Sequence, residues 1–72
     1  MLTATDYVVK LYEQFPELYF YNEMEYGNCV KLYFEFKKLP EKAISWLKSV
    51  DTTFTVIGNR LIIIAKEDEF YE

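Results

Sequence analysis

Residues 17–37, ELYFYNEMEYGNCVKLYFEFK, predict a β-hairpin with two chemically different faces. Side chains along a strand point alternately to opposite sides of the sheet, so every second residue shares a face. One set is apolar and is expected to face the core; its members are Leu18, Phe20, Met24, Val30, Leu32, Phe34 and Phe36. The other set, which we call the Tyr/Glu face, consists of Tyr19, Tyr21, Glu23, Glu25, Lys31, Tyr33 and Glu35.

The length of the hairpin loop decides which residues pair across the two strands. A two-residue loop at 27–28 would place Glu23 and Glu25 beside core residues of the second strand, where an unpaired charge is very costly. A three-residue loop, over 26–28 or 27–29, instead brings the apolar residues together: Met24, Phe20 and Leu18 beside Val30, Leu32 and Phe34. Gly27 and Asn28 both tolerate the positive φ that such a loop with a bulge requires. We therefore expect the three-residue loop.

Helical patterns precede and follow this hairpin. Residues 3–15 predict a helix that Thr3 and Asp6 cap and Pro16 ends. Its expected core stripe is Val8, Leu11, Tyr12 and Phe15. Residues 40–50 predict a second helix, since proline is favoured at the first helical position. Its expected stripe is Ala43, Leu47 and Val50.

A second hairpin completes the predicted fold. Residues 53–57 and 60–65 alternate around the loop 58–59, which pairs Val56 with Leu61 and Phe54 with Ile63. Residues 1–65 are thus expected to form one α+β domain of order α-β-β-α-β-β, in which two hairpins make a four-stranded antiparallel sheet with both helices on one face. Gly27 and Gly58 lie 31 residues apart, which indicates a repeated helix–hairpin unit. Residues 66–72 are expected to be an acidic tail whose Phe70 and Tyr71 could dock elsewhere.

Charge and composition limit where this 72-residue chain acts. Twelve acidic and eight basic residues give a net charge of −4, which disfavours non-specific binding to nucleic acid or an anionic membrane. A single cysteine allows no internal disulfide and fits a reducing compartment. Residues 1–10 lack the pattern of a signal peptide, and the longest apolar run, 61–65, is too short to span a bilayer. We expect a cytoplasmic protein without membrane contact.

The residue types present argue against catalysis. Histidine is absent, so the commonest general base and metal ligand are missing. Cys29 has neither a histidine nor a second cysteine as partner and is expected to be a turn residue. Glu23, Glu25 and Glu35 could in principle hold a divalent cation or cleave glycosides, but an exposed sheet face offers no cleft. We expect no enzyme activity, no cofactor and no metal site.

The helix-free side of the predicted sheet is the main functional feature. It would expose Tyr19, Tyr21, Tyr33, Ile57, Ile62 and Ile64, an apolar patch larger than a monomer usually tolerates. The tail or a differently placed helix could cover it. Alternatively it is a partner or self-association surface. We expect self-association through Ile57, Ile62 and Ile64, with a homodimer as the default closed form.

The Tyr/Glu face predicts a small binding protein or inhibitor that acts on a basic protein partner, with a nucleic-acid-handling protein as one version. The expected partner-binding residues are Tyr19, Tyr21, Glu23, Glu25, Tyr33 and Glu35. The alternatives are a single-stranded nucleic-acid-binding module that stacks bases on the tyrosines and a purely structural homodimer. Carboxylates among the tyrosines favour a protein over direct contact with nucleic acid. Small acidic proteins of this kind are common among phage and mobile-element regulators, so a regulator of that type is compatible with the size and charge of this chain.

Overall fold

Two helices and four strands follow one another in the predicted order in the computed structural model, which describes residues 2–68. The helices are α1 (Ala4–Gln14) and α2 (Glu41–Ser49). The strands are β1 (Tyr19–Tyr26), β2 (Cys29–Glu35), β3 (Thr53–Ile57) and β4 (Arg60–Lys66). They form one antiparallel sheet in the order β1-β2-β4-β3. The predicted α+β fold is confirmed; the docking of Phe70 and Tyr71 lies outside the described residues.

The sheet has an approximate internal two-fold symmetry. In the central pair of strands, each residue of β2 from Cys29 to Glu35 lies opposite one of β4 from Lys66 to Arg60. Leu32 therefore lies opposite Ile63. These two residues are 31 positions apart in the sequence, the same spacing as between Gly27 and Gly58. A two-fold axis through this pair exchanges the two hairpins, so the repeated unit predicted from the sequence corresponds to the two halves of the sheet.

The start of α1 is fixed by local chemistry. The Thr3 hydroxyl accepts a hydrogen bond from the Asp6 amide, and the Asp6 carboxylate accepts one from the Thr3 amide, each at 3.2 Å. This capping box satisfies two of the amides that a helix leaves unpaired. At the other end the helix stops one residue before Phe15, which precedes Pro16. The predicted helix and its cap are confirmed.

The buried stripe of α1 differs from the prediction. Ala4, Tyr7 and Leu11 are buried, while Val8 and Phe15 only flank the core and Tyr12 is 79% exposed. Two apolar stripes overlap on this helix. The stripe that includes Tyr7 is the one that packs against the sheet, where α1 contacts the central strand β4. The expected role of Tyr12 in the core was therefore wrong.

Both helices cover the same side of the sheet. The core combines the three buried residues of α1 and two of α2 with alternate residues of the central strands; the strand residues are Val30, Leu32, Phe34, Leu61, Ile63 and Ala65. Ala43 and Leu47, predicted for α2, are fully buried, and Val50 packs at the edge of the core. The opposite side of the sheet carries no helix within residues 2–68.

The second hairpin has the predicted two-residue loop and pairing. Val56 lies opposite Leu61 and Phe54 opposite Ile63, and Gly58 has a φ of +58°. A Gly-Asn turn of this kind needs positive φ, which glycine adopts without a Cβ clash.

The first hairpin differs from the prediction, because it too closes over two residues. Glu25 lies opposite Val30 and Glu23 opposite Leu32, the pairing that the charge argument had excluded. A register shift between Phe20 and Asn22 leaves Tyr21 without a partner and brings Phe20 back opposite Phe34. A bulge of this type adds one residue to one strand, so it reverses the faces of the residues beyond it.

The two glutamates are tolerated because β1 is an edge strand that α1 does not cover at this end. Glu23 and Glu25 point to the helix side of the sheet but remain exposed to solvent. Met24, predicted for the core, lies on the other side and is 49% exposed. The cost of a buried charge thus never arises, and the three-residue loop was wrong.

Candidate binding surfaces

The helix-free side of the sheet, which we call the open face, brings together the residues predicted for it. The register places Tyr33 beside Ile62 and Ile62 beside Thr55, with Lys31 and Ile64 in the next row. The bulged Tyr21 is on the same side, since its ring centroid lies 6.1 Å from that of Tyr33. Tyr19 and Ile57 are more than half exposed at the end of the same face. Neither helix covers these residues, and their exposure is a property of the fold.

Positive charges outnumber negative charges on the open face. It carries Lys31, Arg60 and Lys66 against Glu35, which lies directly opposite Arg60. The Lys31 Nζ lies 5.1 Å from the centre of the Tyr26 ring, and the Arg60 guanidinium carbon lies 5.9 Å from that of Tyr21. Such contacts between a cation and a ring are favourable. The predicted mixture of tyrosine and carboxylate is therefore not what this face presents.

Glu23 and Glu25 lie on the other side, in a hollow between α1 and β1. The hollow has a volume of about 550 Å³ and is lined by Ala4, Thr5, Val8, Val9, Phe20, Glu23, Glu25, Val30, Glu67 and Asp68. Of the six predicted partner-binding residues, the structure thus keeps Tyr19, Tyr21, Tyr33 and Glu35 together and separates these two glutamates from them. The bulge at Tyr21 is the physical cause of the separation.

A second, more apolar hollow continues along α1. Its volume is about 340 Å³, and it is lined by Val8, Tyr12, Pro16, Leu18, Tyr19, Phe20 and Phe34. The two hollows share Val8 and Phe20. We call them together the trench. One wall is the second apolar stripe of α1, which includes Val9 and Tyr12, and the other is β1.

The tail supplies two carboxylates to the trench. The Lys66 amide donates to the Leu2 carbonyl at 3.1 Å, and this bond brings Glu67 and Asp68 beside the start of α1. The Thr5 hydroxyl then donates to the Asp68 carboxylate at 2.6 Å. Hydrogen bonds from the side chains of Thr5 and Thr3 hold the pKa of Asp68 below its usual range, because they stabilise the charged form. The sequence shows that the tail is acidic, but no local pattern in it predicts where Glu67 and Asp68 lie.

Other features of the described residues point to no particular ligand. A hollow of about 760 Å³ beside the 36–40 segment mixes Glu17 and Glu35 with Lys37 and Lys38, so its charge selects no ligand. The Cys29 thiol lies 3.6 Å from the Asn28 side-chain oxygen and is partly buried at the start of β2, so the residue predicted for the turn begins the strand. Within residues 2–68, no three carboxylates or thiols are grouped so as to hold a metal ion, and no helix is long and apolar enough to cross a membrane.

Comparisons with protein-family models, with curated proteins and with solved structures find no match to this chain.

Proposed function

We propose that this protein is a non-enzymatic binding protein that takes a basic segment of a partner protein in the trench between α1 and β1. The observation that supports the proposal is the combination of charge and shape at this place. Glu23, Glu25, Glu67 and Asp68 surround one end of a trench whose walls are apolar. A lysine- or arginine-containing segment with apolar side chains matches both features.

Two lysines on the elements around the trench contact aromatic rings rather than its carboxylates. Lys10, on α1, has its Nζ 5.7 Å from the Trp46 ring. Lys31, on β2, lies over Tyr26 on the open face. The trench is therefore a local concentration of negative charge, which raises the rate of encounter with a basic partner.

The apolar walls supply the contact area that charge alone does not. Val9 is 49% exposed and Tyr12 is 79% exposed, although each lies on a continuous stripe of α1 with Val8. Phe20 on the facing strand is only partly buried. Apolar side chains of a partner that filled the trench would remove this area from water, at about 25 cal/mol per Å² before the costs of association.

A different role for the glutamates has to be separated from binding. Charged residues that point inward from an edge strand discourage edge-to-edge pairing with other sheets. If that were the only role of Glu23 and Glu25, their neutralisation would promote aggregation and leave the affinity for basic segments unchanged. Measuring both properties on the same variant distinguishes the two roles.

The test is an NMR titration of the isotope-labelled protein with a synthetic amphipathic peptide of leucine and lysine. We expect shifts at Val8, Val9 and Phe20, and weaker binding as salt rises. Glu23→Gln with Glu25→Gln should reduce the affinity at low salt by about two- to thirtyfold, since each exposed ion pair contributes roughly 0.2–1 kcal/mol.

Two controls make the result specific. Glu13→Gln with Glu41→Gln removes the same net charge from helix positions outside the lining of the trench, and should leave the affinity nearly unchanged. A peptide with glutamate in place of lysine should not bind. Equal affinity of the two double variants, or shifts confined to the open face, would contradict the proposal.

A further inference from the structure

We propose that the open face binds a second copy of this chain, with a two-fold axis that runs parallel to the strands between β2 and β4. The open face lies on the opposite side of the sheet from the trench, and Tyr19 is the one residue that it shares with the trench lining; Glu35 and Arg60 lie outside the proposed partner site. Its residues are those of the helix-free side, and the rows that matter most are Tyr33 with Ile62 and Glu35 with Arg60.

The centre of the open face is apolar and lacks a covering element within residues 2–68. Tyr33, Ile62 and Ile64 lie side by side on the two central strands, and Tyr21 extends the patch onto β1. At the other end of the face Ile57 remains 61% exposed. Contiguous apolar surface of this kind marks an interaction site, because a monomer gains by removing it from water.

The charges on the open face complement themselves under the proposed axis. Glu35 and Arg60 lie directly opposite each other on β2 and β4. A two-fold axis between these strands, and parallel to them, places β2 of one copy over β4 of the other. Glu35 of each copy then faces Arg60 of its partner, so two oppositely charged pairs flank the apolar centre. An isologous interface repeats every contact in this way.

The same axis places one apolar pair in contact next to the charged row, and Lys31 over Ile64 of the other copy in the row beyond it. Tyr33 of one copy faces Ile62 of the other, and both are partly buried already by their strand neighbours. An axis perpendicular to the strands at the middle of β4 would instead place Arg60 near Lys66 of the second copy, where the like charges repel each other. The charge pattern therefore favours the axis parallel to the strands over the perpendicular one.

A second copy fits this face better than single-stranded nucleic acid does. Because positive charges outnumber carboxylates on this face, repulsion of phosphate does not exclude nucleic acid there. However, bases stack on aromatic rings, and the half of the face formed by β3 and β4 offers Ile57, Ile62 and Ile64 instead. The rings of Tyr21 and Tyr33 are tilted by 57° to each other and do not present one flat platform.

The dimer is expected to be weak, which sets the concentration of the experiment. Four strands about 4.8 Å apart, with about 3.4 Å per residue, give a flat area on the order of 400 Å². Standard interfaces bury about 800 Å² per partner. We therefore expect a dissociation constant in the micromolar range. The experiment is to measure the mass of the protein by sedimentation at concentrations from about 1 to 500 μM.

The decisive experiment mixes two charge-reversal variants, Glu35→Arg and Arg60→Glu. Each variant alone should remain monomeric at concentrations about tenfold or more above those that dimerise the native chain, because like charges meet across the axis. In an equimolar mixture, the two arginines of the first variant would face the two glutamates of the second, so opposite charges meet at both pairs. The mixture should therefore form a heterodimer with an affinity within a few-fold of the native dimer.

Within each variant chain, positions 35 and 60 carry like charges, so recovery of association in the mixture reports pairing between the two chains. The circular dichroism of both variants should match that of the native chain. Should either variant fail to fold, isotope-filtered NMR on the native protein provides the same test through contacts between the Ile62 methyl groups and the Tyr33 ring of the other copy. Binding of the leucine–lysine peptide in the trench should persist in both variants.

Three outcomes would overturn the proposal. The native chain could remain a monomer throughout the concentration range. The two variants could fail to associate when mixed, which would reject this axis. Finally, single-stranded oligonucleotides could bind the monomer at the open face with micromolar affinity at roughly 0.1 M salt, which would assign the tyrosines to base stacking.

Discussion

The Tyr7 hydroxyl lies 2.7 Å from the Thr52 hydroxyl, so a hydrogen bond joins the first helix to the residue that precedes β3. Tyr7 is fully buried, and its ring meets that of Trp46 on α2 edge-on, at 6.0 Å between centroids. One side chain thus connects α1 to α2 and to the residue before β3. The two helix–hairpin units are held together here on the helix side, as the β2–β4 pairing holds them within the sheet.

Tyr7→Phe should destabilise the protein by about 0.5–2 kcal/mol, because the Thr52 hydroxyl loses its partner in a partly buried position. Chemical denaturation measures the change. Tyr12→Phe is the matched control on the same helix; since Tyr12 is 79% exposed, its variant should unfold like the native chain. Equal losses would mean that the hydrogen bond of Tyr7 contributes nothing.

Phe34→Ala should cost about 3–5 kcal/mol of unfolding free energy, because it leaves a cavity in the centre of the core. Phe34 is only 2% exposed, and its ring lies 5.3 Å from that of Phe20, which would lose this contact as well. Tyr19→Ala on the neighbouring strand is the control, and should cost less than about 1 kcal/mol because Tyr19 is 66% exposed. A comparable loss in both variants would contradict the assignment of the two faces.

Gly27→Ala should destabilise the first hairpin by about 1–2 kcal/mol, since the φ of +66° is strained for a residue with a Cβ. No atom lies within 4 Å of the added Cβ, so the cost is one of backbone conformation alone. Gly27→Asn should recover much of the loss, because asparagine tolerates this region. Thermal or denaturant unfolding provides the comparison. An alanine variant as stable as the native chain would argue against the two-residue turn.

Thr5→Val should raise the pKa of Asp68 toward its ordinary value, because the hydroxyl that stabilises the carboxylate is removed. A lowered pKa in the folded state means that this interaction stabilises the fold above about pH 4 and is lost as the pH falls through the folded-state pKa. Titration of the Asp68 carboxyl carbon by NMR measures it. Thr5→Ser keeps a hydroxyl, so Asp68 should titrate in this variant as it does in the native chain. Identical titration curves for the valine and serine variants would show that the hydroxyl does not lower the pKa of Asp68.

The elements of the fold could be predicted because their signals are local. Gly58 lies between two alternating apolar stretches, and the residues around it pair without conflict. The capping box of α1 requires only Thr3 and Asp6. Each of these signals lies within a few residues of the feature that it specifies.

The predictions that failed depended on what the rest of the chain covers. Burial of Glu23 and Glu25 would require a helix over the whole of β1, whereas α1 leaves that end of the edge strand open. The bulge at Tyr21 has no local sequence signal of its own. In α1, the stripe with Tyr7 and the stripe with Tyr12 have equally good periods, and only packing against the sheet selects one.

The internal two-fold symmetry has a consequence for the order of folding. Each hairpin closes over two residues and can form within about 1–10 μs, but the β2–β4 pairing must join residues that are far apart in sequence. We therefore expect the slow step to be the meeting of the two halves about the pair Leu32 and Ile63. A chain cleaved between Phe36 and Pro40 would leave each half with one helix and one hairpin, and the two fragments should reassemble in solution at a rate that depends on their concentration.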